Sequence, residues 1–176
     1  MQNEFLNIPP KGKRKQRKDI MTKTMKYVDK MICFQEVPDE ITLSFSISNC
    51  PHHCEGCHSG YLSEDIGTPL LSVIEKEIQR EKPFITCVLF MGGDDALQKS
   101  DLIECAKICK LHNLKTALYS GATIVDEELL DFFDYIKVGP YIKELGGLKD
   151  PKTNQRFYEN QNGKLIDKTY LFWRKF

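Results

Sequence analysis

The stretch that decides the reading of this chain is Ile41-Thr42-Leu43-Ser44-Phe45-Ser46-Ile47-Ser48-Asn49-Cys50-Pro51-His52-His53-Cys54-Glu55-Gly56-Cys57. Ile41, Leu43, Phe45 and Ile47 alternate with Thr42, Ser44, Ser46 and Ser48. That period of two predicts a strand with one apolar and one hydroxyl-bearing face. The strand runs directly into Cys50, Cys54 and Cys57, at i, i+4 and i+7. Loops at the C-terminal ends of strands are where α/β folds place their ligand sites. Three thiolates in so short a loop can converge on one soft metal centre. Zinc would want a fourth ligand, with His52, His53 or His58 on offer. A four-iron cluster held by three cysteines keeps one iron free for a small chelating molecule. The spacing C-x3-C-x2-C differs from the C-x2-C pairs of zinc ribbons. Disulfides are disfavoured, because three is odd and nothing marks the chain as secreted.

Working outward, residues 27–37 read as a first strand, broken by Pro38-Asp39-Glu40. Thr68-Pro69 reads as a helix start, followed by an apolar stripe of Leu71, Ile74 and Ile78. Phe84 to Met91 is a near-continuous apolar run, as a buried parallel strand requires, closed by Gly92-Gly93-Asp94-Asp95. Ser100 can cap a helix that puts Leu102, Cys105, Ala106 and Cys109 on one face and ends at Asn113. Residues 115–120 form a strand before Gly121, and Asp126 caps a short helix with Leu129, Leu130 and Phe133. Residues 135–138 form a further strand before Gly139-Pro140. This alternation predicts right-handed crossovers and an α/β fold with a mainly parallel sheet. A full eight-unit barrel needs about 250 residues. A chain of 176 has room for about half, so the expectation is an open, partial (β/α) barrel. From Lys149 the chain is polar, then ends in Tyr170-Leu171-Phe172-Trp173, which either docks on the body or meets a partner.

Composition is that of an ordinary globular protein, with length for one domain and a real core. No apolar run has the length of a membrane span, and no N-terminal segment reads as a signal peptide, so the cytoplasm is the expected compartment. There, seven cysteines are thiols or metal ligands. Cys33, Cys87, Cys105 and Cys109 fall inside predicted strands and a helix and read as small core residues. Residues 1–24 carry seven basic and two acidic side chains, +5, so residues 25–176 carry −5. The run from Lys11 to Lys18 lacks apolar periodicity and reads as a disordered arm. A solvated tail is favoured there over a nucleic-acid contact, and Met21 and Met25 offer later translation starts. The rest, residues 25–176, reads as a single domain.

Gly92-Gly93-Asp94 adds a second motif one crossover after the cysteine loop. Glycines at a strand end let backbone approach a ligand, and the carboxylate can accept from an ammonium group. Tyr119-Ser120-Gly121 and Val138-Gly139-Pro140-Tyr141 end the next two strands. Together these segments resemble the radical S-adenosylmethionine (SAM) enzymes. The resemblance implies a [4Fe-4S] cluster on Cys50, Cys54 and Cys57, with the open iron binding the methionine amino and carboxylate groups of SAM. It implies that Gly92, Gly93 and Asp94 hold that amino group, although the usual acid there is Glu. It places Ser120 and Gly139 against the adenosine, with Gly56 and His58 also among the cofactor contacts.

Gly56 stands where the family commonly has an aromatic residue. With Met91-Gly92-Gly93-Asp94, Gly139-Pro140-Tyr141 and Thr153-Asn154-Gln155-Arg156-Phe157, it makes residues 27–158 resemble the activating proteins of anaerobic, class III ribonucleoside-triphosphate reductases. That resemblance implies a 5′-deoxyadenosyl radical that takes a hydrogen from a glycine of the reductase, with a flavodoxin- or ferredoxin-like electron donor. A pyruvate formate-lyase-type activase, a small-molecule radical SAM enzyme and a zinc-dependent binding module are the rival readings.

Overall fold

The structure, a computed structural model, describes residues 23–173. The basic run Lys11–Lys18 lies outside the described residues. Lys23 belongs to the body: its amide donates to Leu97 O at 2.9 Å, and its ammonium pairs with Asp65 at 3.5 Å. Met25, the first residue of the expected single domain, is fully buried.

Among the described residues, eight strands form one open sheet. In chain order they are β1 (Lys26–Cys33), β2 (Thr42–Ile47), β3 (Thr68–Pro69), β4 (Cys87–Met91), β5 (Lys115–Tyr119), β6 (Tyr135–Val138), β7 (Arg156–Gln161) and β8 (Lys164–Asp167). Their spatial order is β3-β1-β2-β4-β5-β6-β7-β8. The pairings β2–β4, β4–β5 and β5–β6 are parallel; the other four are antiparallel. The expected mainly parallel sheet is therefore corrected to a mixed one. A parallel centre of four strands carries an antiparallel pair on each side, and the sheet does not close.

Helices α1 (Ile74–Glu81) and α2 (Lys99–Leu111) connect the parallel strands. The stripe Leu102, Cys105, Ala106 and Cys109 is wholly buried, as its i, i+3, i+4, i+7 spacing requires. It packs with Phe45, Phe90, Phe133 and Ile136 in the larger core. Asn113 ends α2 in a left-handed conformation, φ 58°. The opposite face of the sheet carries a smaller core of Cys87, Leu89, Ala117, Leu148 and Phe157. Strand β2 is buried on both faces, so its serine and threonine side is interior as well.

Two expected caps are not used. Thr68-Pro69 is an edge strand, not a helix start. It pairs with Lys26 and Tyr27, and Leu70 N donates to Met25 O at 3.0 Å. Tertiary pairing wins over the local capping signal, and proline is tolerated at a sheet edge. Ser100 lies inside α2, because the Asp95 carbonyl accepts from Gln98 N and Lys99 N and starts the helix earlier. Asp126 does cap its short helix, which is a 3-10 turn over Glu127–Asp131, by accepting from Glu128 N at 3.0 Å.

The polar tail is a hairpin. Asn162 and Gly163, at φ 54° and 84°, turn β7 into β8. That pair of positive φ values suits a two-residue hairpin turn. The aromatic end docks on the body. Phe172 packs edge-on against Phe157 at 5.1 Å, and Trp173 Nε1 donates to Leu148 O at 3.0 Å.

Candidate iron–sulfur site

The site is assembled at the C-terminal ends of β2, β4, β5 and β6. Register decides which side chains share it. Ser46 pairs with Met91, Met91 with Tyr119, and Tyr119 with Lys137. Side chains in register share a face. Met91, Tyr119 and Lys137 thus form a row on the side away from α1 and α2, and all three line a cavity of about 160 Å³.

The cysteine loop covers one wall of that cavity. Asn49 enters it with φ 62°, and its amide donates to Glu64 O at 3.1 Å. Cys50 N donates to Leu62 O at 2.9 Å, and Cys57 N to Cys54 O at 3.2 Å. These bonds fold the loop back so that Cys50, Cys54 and Cys57 all line the cavity. Burial pushes the Cys50 thiol up, the backbone N–H of His52 opposes this, and the charges of Cys54, Cys57 and Asp94 add to the rise. Among the described residues, no three His, Cys, Asp or Glu side chains meet closely enough to hold one metal ion. The thiols ring a shared cavity instead. A cluster, whose irons are separate corners, takes ligands in that arrangement, and the donor set fits one with an open iron.

The second motif lines the same cavity. Gly92 and Gly93 adopt φ 101° and 89°, a region that favours glycine. A β-carbon on Gly93 would stand 2.6 Å from Met25 Sδ, so that glycine is demanded by packing as well as by φ. Asp94 lines the cavity, and its Oδ2 accepts from Ser120 Oγ at 2.5 Å. His52 lies against Gly121, where a β-carbon would be 2.3 Å from the imidazole. Gly139, at φ 109°, also lines the cavity, but its bare α-carbon faces the backbone of Gln155, 3.0 Å from where a β-carbon would be. Gly56 and His58 are exposed and lie outside the lining. Gly56 has φ 73° and carries the stem of Lys143.

The sequence singles out neither Lys137 nor a physical role for residues 153–157. Lys137 is 8% exposed, and its Nζ donates to Gly139 O at 2.9 Å and Ser120 O at 3.4 Å. Burial pulls its pKa down to about 8, against the pull of Cys54, Asp94, Cys57 and Cys50, which favour the charged form. Its only sequence signal was a charged residue in an apolar strand. The segment Thr153-Asn154-Gln155-Arg156 is a strap over Gly139-Pro140. Asn154 Nδ2 donates to Pro140 O at 3.0 Å, and Gln155 Nε2 to Gly139 O at 3.4 Å. Arg156 Nη1 ties the strap together on the carbonyls of Thr153 and Gln155, each at 2.8 Å. Gln155 thereby becomes part of the cavity wall.

The 4Fe-4S single cluster domain family matches residues 41–164, more than two thirds of the chain. The chain belongs to that family. This 4Fe-4S single cluster domain thus carries its cysteine loop at the start of the match and the strap and β7 near its end. No curated protein and no solved structure matches the chain. The remaining thiols of the domain are core groups. Cys87, Cys105 and Cys109 are fully buried, and burial pushes Cys105 up to about 12 and Cys33 up to about 11. No helix among the described residues is long and apolar enough to cross a membrane.

Proposed function

We propose that the protein is a radical SAM activase that places a glycyl radical on an anaerobic ribonucleoside-triphosphate reductase. The observation that carries this reading is one cavity lined by three cysteine thiols, a carboxylate and a buried ammonium. Those last two charges complement the two ends of an α-amino acid. Asp94 would accept from the methionine ammonium of SAM, and Lys137 would donate to its carboxylate. When bound, a four-iron cluster supplies one electron to the sulfonium, which releases methionine and a carbon radical at the 5′ position of the adenosyl group. The protein's own residues bind, orient and exclude water. Met91, Tyr119 and Ile47 give the cavity its apolar lining. No side chain is required as a general acid or base.

The open sheet supports a protein substrate: its strands run from β3 to β8 without closing around the cavity, which leaves the site reachable from the side. A glycine-bearing loop from a partner would complete the site from outside. The electron would come from a flavodoxin- or ferredoxin-like protein. The test is anaerobic incubation of the reduced, cluster-loaded protein with SAM and the reductase, read by electron paramagnetic resonance. A glycyl-radical doublet on the reductase, coupled to methionine release, is the expected result. Turnover of a free small molecule with no effect of the reductase would overturn the activase reading.

A further inference from the structure

We infer that Ser120 is a positioning residue that aims the Asp94 carboxylate into the cavity, and so sets the affinity for the ligand's α-ammonium group. The inference rests on the reading that SAM is that ligand. A serine hydroxyl has one hydrogen to donate and two lone pairs to accept with. Ala122 N donates to Ser120 Oγ at 2.9 Å and occupies one lone pair. The single hydrogen is directed to Asp94 Oδ2 at 2.5 Å. Ser120 therefore has no hydrogen to give a ribose oxygen, while its second lone pair can still accept from a ribose hydroxyl.

The hydroxyl is itself held rigidly. Ser120 is 3% exposed, and its backbone N–H donates to Lys137 O at 2.8 Å. Its carbonyl accepts from Lys137 Nζ at 3.4 Å. Ser120 thus fixes an acid from the β4 loop relative to strands β5 and β6. Aspartate is one methylene shorter than the glutamate usual at this motif. It stands on a turn whose two glycines impose no side-chain packing of their own. A fixed donor on one carboxylate oxygen leaves the other, Oδ1, for the ligand, at a set angle. A hydrogen bond to a charged group is among the stronger ones in proteins, so the effect on affinity should be measurable.

The experiment measures SAM affinity by anaerobic calorimetry on the cluster-loaded, oxidised protein, with iron content checked in each variant. Ser120→Ala is expected to weaken SAM about tenfold with iron unchanged. Ser120→Thr, which keeps the donor, should recover most of the loss. Ser120→Cys keeps the bulk with a poorer donor and should fall between; it serves where Ser120→Ala compromises folding. The double variant Ser120→Ala, Asp94→Asn should bind no more weakly than Asp94→Asn alone, because Ser120 acts through Asp94. Full additivity, or wild-type affinity in Ser120→Ala, would overturn the inference. A wild-type protein with a full cluster and no SAM binding would instead overturn the SAM reading beneath it.

Discussion

The two ends of the parallel strands handle buried charge in opposite ways. At the N-terminal end, Glu40 is 8% exposed and fully partnered. Its carboxylate accepts from Lys115 Nζ at 2.5 Å, Thr86 Oγ1 at 2.5 Å and Tyr135 OH at 2.9 Å. Burial alone would raise its pKa, but the bonds from Lys115, Thr86 and Tyr135 outweigh it, and the net shift is downward. At the C-terminal end, Lys137 is equally buried but donates to carbonyl oxygens and lies over the Tyr119 ring at 5.9 Å, and Asp94 accepts from a hydroxyl. One end cancels its charge internally; the other leaves charge facing a cavity beside three thiols. The first is a structural network. The second matches the charged ligand proposed for the site.

The largest effect should come from the cysteines. Ala at Cys50, Cys54 or Cys57 is expected to abolish cluster content, measured as bound iron and as the visible absorbance shoulder. Ala at Cys33, Cys87, Cys105 or Cys109 should cost about 1 kcal/mol of stability and leave the iron in place. Loss of iron in Cys105→Ala alone would break the ligand assignment.

Lys137→Met should separate stability from binding. The folded pKa of about 8 lies below the ordinary 10.5, so the unfolded chain binds more protons between those values. Burying the ammonium is therefore a cost that is fully present below pH 8. Removing it should stabilise the fold at pH 7, by at most about 3 kcal/mol. The gain should shrink as pH rises through 8 and vanish above about 10.5. SAM binding should weaken at least about tenfold in the same variant. Denaturant unfolding across that pH range, paired with calorimetry, reads both signs. A variant that is less stable at pH 7 would show that the ammonium is a structural donor like Lys115.

Glu40→Gln should do the reverse. It should lose about 2 kcal/mol at pH 7, with iron and SAM affinity unchanged. A carboxylate with a lowered pKa contributes stability that is present above its ordinary value of 4.5 and lost as pH falls through the folded value. The wild-type advantage over Glu40→Gln should accordingly disappear in acid, as urea titrations would show.

The last substitution concerns Gly93. Its missing β-carbon faces Met25, not the cavity. Gly93→Ala should cost about 1–3 kcal/mol through its positive φ and the displaced sulfur, with little direct effect on SAM. A large affinity loss at unchanged stability would move this glycine to the ligand side of the motif.

The central strands and the cysteine loop were legible because their signals are local and strong. The period-two strand before Cys50 and the apolar run before Gly92 need no partner to be read. The β7–β8 hairpin was equally written, in Asn162-Gly163, but its strands are polar and sit at the sheet margin, so periodicity did not reveal them. The role of Thr153–Phe157 was not legible at all. It depends on Gly139 and Pro140 being brought beside it by β6, a contact that no local pattern encodes. Lys137 was hidden for a similar reason: its burial follows from register with Tyr119 and Met91. The caps at Thr68 and Ser100 were misread because pairing with β1 and the turn at Asp95 overrode local chemistry.

The most direct test of the receptive end is electron paramagnetic resonance of the anaerobically reconstituted, reduced protein, with and without SAM. The prediction is a four-iron signal carried by three cysteines that changes shape when SAM is added, and changes less in Asp94→Asn and Lys137→Met. A cluster signal that SAM leaves untouched would contradict the claim that this end of the sheet is built for an amino-acid ligand at an open iron.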